Sequence, residues 1–152
     1  MNPRSTNGPL TFLGRLFLSA IFILSGLAKI GGFQATLTYM KAVGLPDSPA
    51  LLWVAIGIEI VCGLMVLFGA RARTGATILF LYLIPVTIFF QRFWGEPLLP
   101  SMNGVEFLKN LSIMGGLLTI AVRGSGAWSA DHGGTEAVKR GEAEPRKREK
   151  AA

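Results

Sequence analysis

Four long apolar segments constrain this chain more than any other feature of its sequence. They run from Leu10 to Ile30, Ala50 to Gly69, Gly75 to Gln91 and Val105 to Val122. Each approaches the ~20 residues that a helix needs to cross a hydrocarbon core of ~30 Å. With 51% hydrophobic and only 16% charged residues, the chain is too apolar for an ordinary soluble domain. The sequence therefore predicts an all-α integral membrane protein, a four-helix bundle.

The distribution of basic residues predicts the orientation of this bundle. Four crossings return both termini to one side, and that side carries most of the 15 Lys and Arg residues: Arg4, Arg15, Arg71, Arg73, Arg123, Lys139, Arg140, Arg146, Lys147, Arg148 and Lys150. Because cytoplasmic loops are enriched in Lys and Arg, both termini are expected to be cytoplasmic. A cleaved signal peptide is the alternative for the first segment, but Lys29 stands where the small-residue cleavage site should be.

The formal net charge of +6 follows from the same asymmetry. The basic residues lie in predicted cytoplasmic loops and in the C-terminal tail, without interleaved aromatic residues or a nucleic-acid-binding motif. We therefore expect no nucleic-acid partner; the partner that the sequence predicts is the lipid bilayer.

Composition divides the chain into two regions. Residues 1–128 contain the four apolar segments, whereas residues 129–152 mix six basic with five acidic residues and contain almost nothing that builds a core. Such a composition is typical of disordered segments. The sequence predicts a membrane domain over 1–128 and a disordered, charged cytoplasmic tail over 129–152.

Polar residues inside three of the segments coincide in depth. With Arg15, Arg71 and Arg123 as markers of the inner boundary, a rise of 1.5 Å per residue places Lys29 and Lys109 about 21 Å into the membrane, Asn110 about 20 Å and Glu59 about 18 Å. Charges in spans usually face a bundle interior and find partners. These four residues, Lys29, Glu59, Lys109 and Asn110, are the predicted ligand-binding site, with Glu59 paired to Lys29, to Lys109 or to both.

A purely structural interpretation of these residues stays open. Lys29 and Lys109 could extend to the far membrane surface, Glu106 could pair with Lys109 along its own helix, and Glu59 could be a buried group that only fixes the fold. The single cysteine, Cys62, excludes an internal disulfide or a CxxC redox couple, and no histidine lies within a span. We therefore expect no metal site and no haem.

Short motifs in the membrane region carry a family resemblance. The stretches "SGLAKIGGF", Glu59 followed by "GLMVLFG" and Arg73, "FLKNLSIMGGLL" and "GSGAWSADH" resemble the DoxX family of small bacterial membrane proteins, over roughly Arg15 to Asp131. The resemblance implies a four-helix bundle in the plasma (inner) membrane. It also implies a link to quinone-dependent oxidation of sulfur compounds or to handling of oxidants, and its pattern includes the four residues selected by depth.

Three functions follow as hypotheses. In the first, the protein is a quinone-linked subunit of a membrane oxidoreductase system: the site carries a formal charge of +1 from two lysines, one glutamate and one amide, Glu59 moves protons, and a partner protein delivers electrons. In the second, it is a non-enzymatic scaffold or assembly partner with glycine-rich helix faces, which would also suit a homo-oligomer. The third, a small-solute carrier, rests only on Pro85 within the third span.

Overall fold

Five α-helices make up the part of the chain that the structure, a computed structural model, describes: residues 8–90, 102–126 and 128–131. They are α1 (Gly8–Gly31), α2 (Phe33–Ala42), α3 (Pro49–Phe68), α4 (Ala72–Phe90) and α5 (Met102–Arg123). Helices α1, α3, α4 and α5 are long and apolar enough to cross a membrane. The prediction of an all-α bundle with four spans is confirmed, and every span begins and ends within three residues of the predicted segment.

The four spanning helices follow one another around the bundle. Helix α1 packs on α3, α3 on α4 and α4 on α5, whereas the contact between α1 and α5 is slight. Glycines allow the closest of these approaches: a Cβ atom on Gly26 would lie 2.7 Å from Ile60 Cγ1, and one on Gly63 would lie 2.9 Å from Ile23 Cγ1. Because such distances are too short for real side chains, α1 and α3 can be this close only with glycine at both positions.

The short helix α2 lies at the end of the bundle where α1 ends and α3 begins, which we call the far end. The opposite end, with Gly8 and Arg123, is called the terminal end. Its buried residues Leu37 and Met40 join Leu52 and Ile56 of α3 in one apolar cluster. The sequence pattern of this connection predicts an amphipathic helix, and the structure places a helix there. In the next connection, the sequence contains Phe93 and Trp94, a pattern typical of an aromatic anchor at the membrane interface; both lie outside the described residues.

A tight turn joins α3 to α4 at the terminal end of the bundle. Gly69 adopts the left-handed conformation with φ of 69°, and Ala70 N donates to Met65 O over 3.1 Å. This is the usual way to end a helix with glycine. The side chain of Asp131 closes the turn: Oδ1 accepts from Arg71 N at 2.8 Å and Oδ2 accepts from Ala72 N at 3.2 Å. A carboxylate there also complements the dipole of α4.

The segment after α5 lies against the terminal end of the bundle. The buried Arg15 donates from Nη2 to the carbonyl of Trp128, and the Trp128 ring covers Gly8 at the start of α1. The contacts of Asp131 lie three residues beyond the predicted boundary of the membrane domain at residue 128. The rest of the predicted disordered tail, residues 132–152, lies outside the described residues.

Two apolar clusters form the core, one toward each end. The cluster nearer the termini contains Phe22, Cys62, Val66, Ala76, Leu79, Leu83 and Leu117, and the far-end cluster is the one built around α2. A cavity lies between them, because its walls include Phe22 and Leu83 of the first cluster and Met40 and Leu52 of the second. Lys29, Glu59, Tyr82 and Asn110 of the spans line this cavity.

Candidate functional site

An ion pair between α1 and α3 is the central feature of the cavity. Lys29 Nζ lies 2.7 Å from both carboxylate oxygens of Glu59. It also donates to Ser25 Oγ at 2.6 Å, one helical turn earlier on α1. The Glu59 side chain is 5% exposed and that of Lys29 is 24% exposed. The three protons of the ammonium group therefore all have partners, and the pair still borders the open cavity.

Tyr82 of α4 extends this ion pair to a third helix. Its hydroxyl donates to Glu59 Oε1 at 2.9 Å, so that one carboxylate ties α1, α3 and α4 together at a single level. Charged acceptors make stronger hydrogen bonds than neutral ones. The group formed by Lys29, Glu59, Tyr82 and Ser25 is called the polar cluster below.

Lys109 does not pair with Glu59. It forms an ion pair with Glu106, three residues earlier on α5, and both side chains are more than two-fifths exposed. This is the pairing along one helix that the sequence allows as an alternative. The possibility that Glu59 pairs with Lys109 is therefore wrong: Glu59 faces Lys29, since α1 packs directly on α3 whereas α5 packs on α4.

Asn110 is buried at the α4–α5 contact. Its Nδ2 donates to Thr87 Oγ1 at 3.0 Å, and both side chains are at most 7% exposed. Among the described residues, this is the one hydrogen bond of the Asn110 side-chain amide. No bond of its carbonyl oxygen or second N–H is found among the described residues, and Asn110 also lines the cavity.

All four residues selected from the sequence line the same cavity. Lys29, Glu59, Lys109 and Asn110 border a space of about 640 Å³ whose walls are mostly aliphatic and aromatic. A volume between roughly 300 and 1,000 Å³ with a few convergent polar groups is typical of small-molecule sites. The four residues that the depth argument selects thus lie around one cavity, although depth does not give their pairing.

Glu106 lowers the formal charge of the cavity below the value expected from the sequence. The four residues chosen from the sequence have a formal charge of +1, but Glu106 lines the cavity beside Lys109. Among the described residues, four charged side chains line the cavity, and their two ion pairs, Lys29 with Glu59 and Lys109 with Glu106, are neutral in total. A neutral ligand is therefore better matched to the cavity than an anion, because an anion would be desolvated here without a spare positive charge.

Sequence reasoning missed Tyr82 and Thr87. The same depth ruler places Tyr82 about 17 Å from the level of Arg71, next to Glu59 at about 18 Å. A search for hydroxyl groups as well as charges at that level would have found it. Thr87 lies higher, at about 24 Å, and only the packing of α4 against α5 reveals it as the partner of Asn110.

The fold and the cavity define a class: a four-span membrane bundle with a polar cluster between its spans that faces a mostly apolar cavity. The sequence model of the DoxX family matches residues 10–92, and the chain belongs to that family. It is 34% identical to "Inner membrane protein YqjF" of Escherichia coli (strain K12) over 119 residues, which cover 78% of this chain and 87% of that relative.

Two further relatives extend the comparison. "Inner membrane protein YphA" of Escherichia coli (strain K12) is 30% identical over 125 residues, or 80% of this chain and 88% of that protein. "Putative oxidoreductase CatD" of Bacillus subtilis (strain 168) is 33% identical over 78 residues, or 51% of this chain and 57% of that protein. No solved structure matches significantly. The protein is therefore a multi-pass protein of the bacterial inner membrane.

Proposed function

We propose that this protein is a subunit of a quinone-linked membrane oxidoreductase system, and that its cavity binds the quinone headgroup. The observation that carries the proposal is the polar cluster of Lys29, Glu59, Tyr82 and Ser25 at the wall of an otherwise mostly apolar cavity within the membrane. A flat ring with carbonyl oxygens needs both kinds of surface. The name of CatD, a relative over half of this chain, also points to redox chemistry.

The apolar walls suit an uncharged ring. Phe89, Phe90 and Pro85 of α4 line the cavity together with Ala55 and Ile58 of α3, and aromatic side chains favour stacked or edge-on contact with another ring. The neutral charge total of the two ion pairs agrees with this ligand class. A quinone and a quinol are both uncharged, so neither needs a counter-ion in the cavity.

The polar groups have distinct tasks in this proposal. Lys29 donates a hydrogen bond to a ligand carbonyl by exchanging its bond to Ser25, while Glu59 stays bound to it. Glu59 and the Tyr82 hydroxyl form a short path for a proton, and the second N–H of Asn110 donates to the ligand from the α5 side. A bound quinone supplies the capacity to accept two electrons and two protons.

Electron delivery is assigned to a partner protein. The described helices contain one cysteine, Cys62, which is buried, and the described residues contain no group of three His, Cys, Asp or Glu side chains placed to hold a metal. These side chains do not form a ligand set for a redox centre of their own. The protein would contribute the quinone site of a larger assembly.

Quinone content after purification tests the proposal. The full chain is purified in mild detergent from a quinone-producing host, and its lipid extract is analysed by chromatography and mass spectrometry. We expect about one quinone per chain, and at least a tenfold loss in the double variant Lys29→Met with Glu59→Gln. A wild-type protein that neither retains nor rebinds quinone would reject the proposal.

The matched control removes two hydroxyl groups that lie away from the cavity. Ser112 and Thr119 of α5 are exposed and donate only to carbonyls of their own helix. The double variant Ser112→Ala with Thr119→Val should therefore retain the wild-type quinone content. Equal losses in both double variants would mean that general loosening of the bundle, and not the polar cluster, controls quinone retention.

A scaffold is the second candidate, and outward-facing glycines favour it. A Cβ atom on Gly57 or Gly115 would meet nothing within 4 Å, so a helix of another protein could approach closely at either position. In that case a partner protein should co-purify without quinone. Substituting Gly57 and Gly115 by Leu should then release the partner, whereas the charge-free Lys29 and Glu59 variant should keep it.

A further inference from the structure

The contact between α1 and α5 differs between the two halves of the bundle. In the half nearer the termini the helices touch: a Cβ atom on Gly116 would lie 3.2 Å from Leu18 Cδ1, and Leu117 is fully buried beside it. Toward the far end the cavity separates the two helices. Its lining includes Ile21 and Ser25 of α1 and Ile113 and Asn110 of α5.

Among the contacts between neighbouring spanning helices, that between α1 and α5 is the slightest, and this seam borders the cavity. Helices α3 and α4 pack closely on each other and on their other neighbours, whereas α1 and α5 make little contact. Ile21 lines the cavity and is nevertheless 39% exposed. Because α1 and α5 are apart here and Ile21 stays exposed, the described helices leave the cavity open at this seam.

The depth of this seam decides what lies outside it. Ile21 is six residues from Arg15 and Ile113 is ten residues from Arg123, so they lie about 9 Å and 15 Å into the membrane at 1.5 Å per residue. Both depths fall within a hydrocarbon core of about 30 Å. The opening therefore faces lipid chains and not water.

We infer that the seam between α1 and α5 is a lateral portal, through which a ring-headed amphiphile enters from the lipid and leaves its alkyl tail between Ile21 and Ile113. This inference rests on the proposed quinone site and adds the route of access and the chemical form of the ligand. The headgroup reaches the polar cluster while the tail stays in the membrane. A tail therefore contributes to binding by burying CH₂ groups against the two isoleucines.

Two probes with the same headgroup distinguish binding of the tail in the portal from binding of the headgroup at the polar cluster. The probes are 2,3-dimethoxy-5-methyl-1,4-benzoquinone and its 6-decyl derivative, and their affinities for the purified full chain are measured in detergent. We expect the decyl probe to bind at least tenfold more tightly. Binding of the tailless probe with no gain from the tail would overturn the portal and leave the proposed function intact; no binding of either probe would overturn both.

Tryptophan substitutions locate the tail. Ile21→Trp and Ile113→Trp narrow the portal, and we expect them to abolish the tenfold gain while the tailless probe binds as before. Leu24→Trp and Leu111→Trp are the matched controls, because both leucines are exposed on the same helices and do not line the cavity. A loss of the same size in the controls would overturn the inference, since micelle partitioning and not the portal would then explain the gain.

Photolabelling needs no variant and covers the case in which a tryptophan variant fails to fold. A decyl quinone with a diazirine at the middle of its tail is bound to the wild-type chain and irradiated. We expect labelled peptides from α1 and α5 around Ile21 and Ile113, reduced by excess unlabelled decyl probe. Competable labelling confined to α3 and α4 would place the tail elsewhere and overturn the portal.

Discussion

Lys29 Nζ lies 2.7 Å from each carboxylate oxygen of Glu59, so that a single ammonium group holds both oxygens of a carboxylate inside the membrane. This contact explains why an apolar span contains a glutamate. Each charge is costly to bury alone, but together with Ser25 and Tyr82 the pair has every strong hydrogen-bonding group satisfied. The bundle and the candidate site therefore depend on the same contact.

Removal of the carboxylate charge should destabilise the protein strongly. Glu59→Gln leaves the Lys29 ammonium group unpaired, and we expect a loss of about 3 kcal/mol in the free energy of unfolding. Adding Lys29→Met should recover much of this loss because both charges then disappear together. Thermal unfolding in detergent, followed by circular dichroism, measures the effect.

Glu106→Gln is the control for that experiment. Its ion pair with Lys109 is more than two-fifths exposed at both ends, and pairs of this kind contribute less than about 1 kcal/mol. If Glu59→Gln and Glu106→Gln change the melting temperature equally, the buried pair has no special role in stability.

Loss of the Tyr82 hydroxyl should have a smaller effect. Tyr82→Phe removes one hydrogen bond to Glu59 Oε1 but leaves the ion pair with Lys29 in place. Hydrogen bonds to charged groups contribute about 1.5 kcal/mol or more, and we expect a loss of that size in detergent unfolding. In the Glu59→Gln background the same substitution should cost less, because the acceptor is then uncharged; equal costs in both backgrounds would contradict the contact.

Asp131 should stabilise the turn between α3 and α4 from a distant part of the chain. Asp131→Ala removes the acceptors of Arg71 N and Ala72 N, and loss of a cap of this kind costs about 1 kcal/mol. Asp131→Asn keeps one acceptor and should recover part of the loss. Limited proteolysis and the melting temperature are the measurements. If neither changes in Asp131→Ala, the segment around Asp131 does not bind to the turn between α3 and α4.

Two glycines in different helices should respond differently to substitution. A Cβ atom on Gly75 would lie 3.0 Å from Met65 Cβ and 3.1 Å from the Cys62 carbonyl, whereas one on Gly115 would meet nothing within 4 Å. We expect Gly75→Leu to cost about 1 to 3 kcal/mol by overpacking α3 against α4. Gly115→Leu should be neutral or stabilising, since leucine is the better helix former. The opposite order of melting temperatures would contradict the helix contacts.

Fusions at the C terminus test the predicted orientation. Because eleven of fifteen basic residues lie on the terminal side, a fluorescent protein fused after Ala152 should fluoresce, and alkaline phosphatase fused at the same point should stay inactive. An active phosphatase would place the termini on the other side of the membrane. The helix packing would be unaffected, but the portal would then open toward the other leaflet.

Much of the candidate site could be predicted from the sequence, for a definite reason. A helix advances by a fixed rise per residue, so distance along the chain becomes depth once charged residues mark the membrane boundary. Lys29, Glu59 and Asn110 can therefore be assigned to one level by counting residues. Depth does not show which way a side chain points around its helix, however. From depth alone, an ion pair of Glu59 with Lys29 and one with Lys109 are equally well supported.

The spans are specified by the sequence, because apolar length is a local property to which the bilayer responds directly. Which side chains pair with each other depends on the tertiary fold. The order of the helices around the bundle places α1 against α3 and α5 against α4. Glu59 therefore forms its ion pair with Lys29, and Lys109 forms one with Glu106. The same order also joins Tyr82 to the pair of Glu59 and Lys29. The contacts of Glu59 with Lys29 and Tyr82, and of Asp131 with the start of α4, join residues between 23 and 60 positions apart, and only tertiary packing brings such residues together.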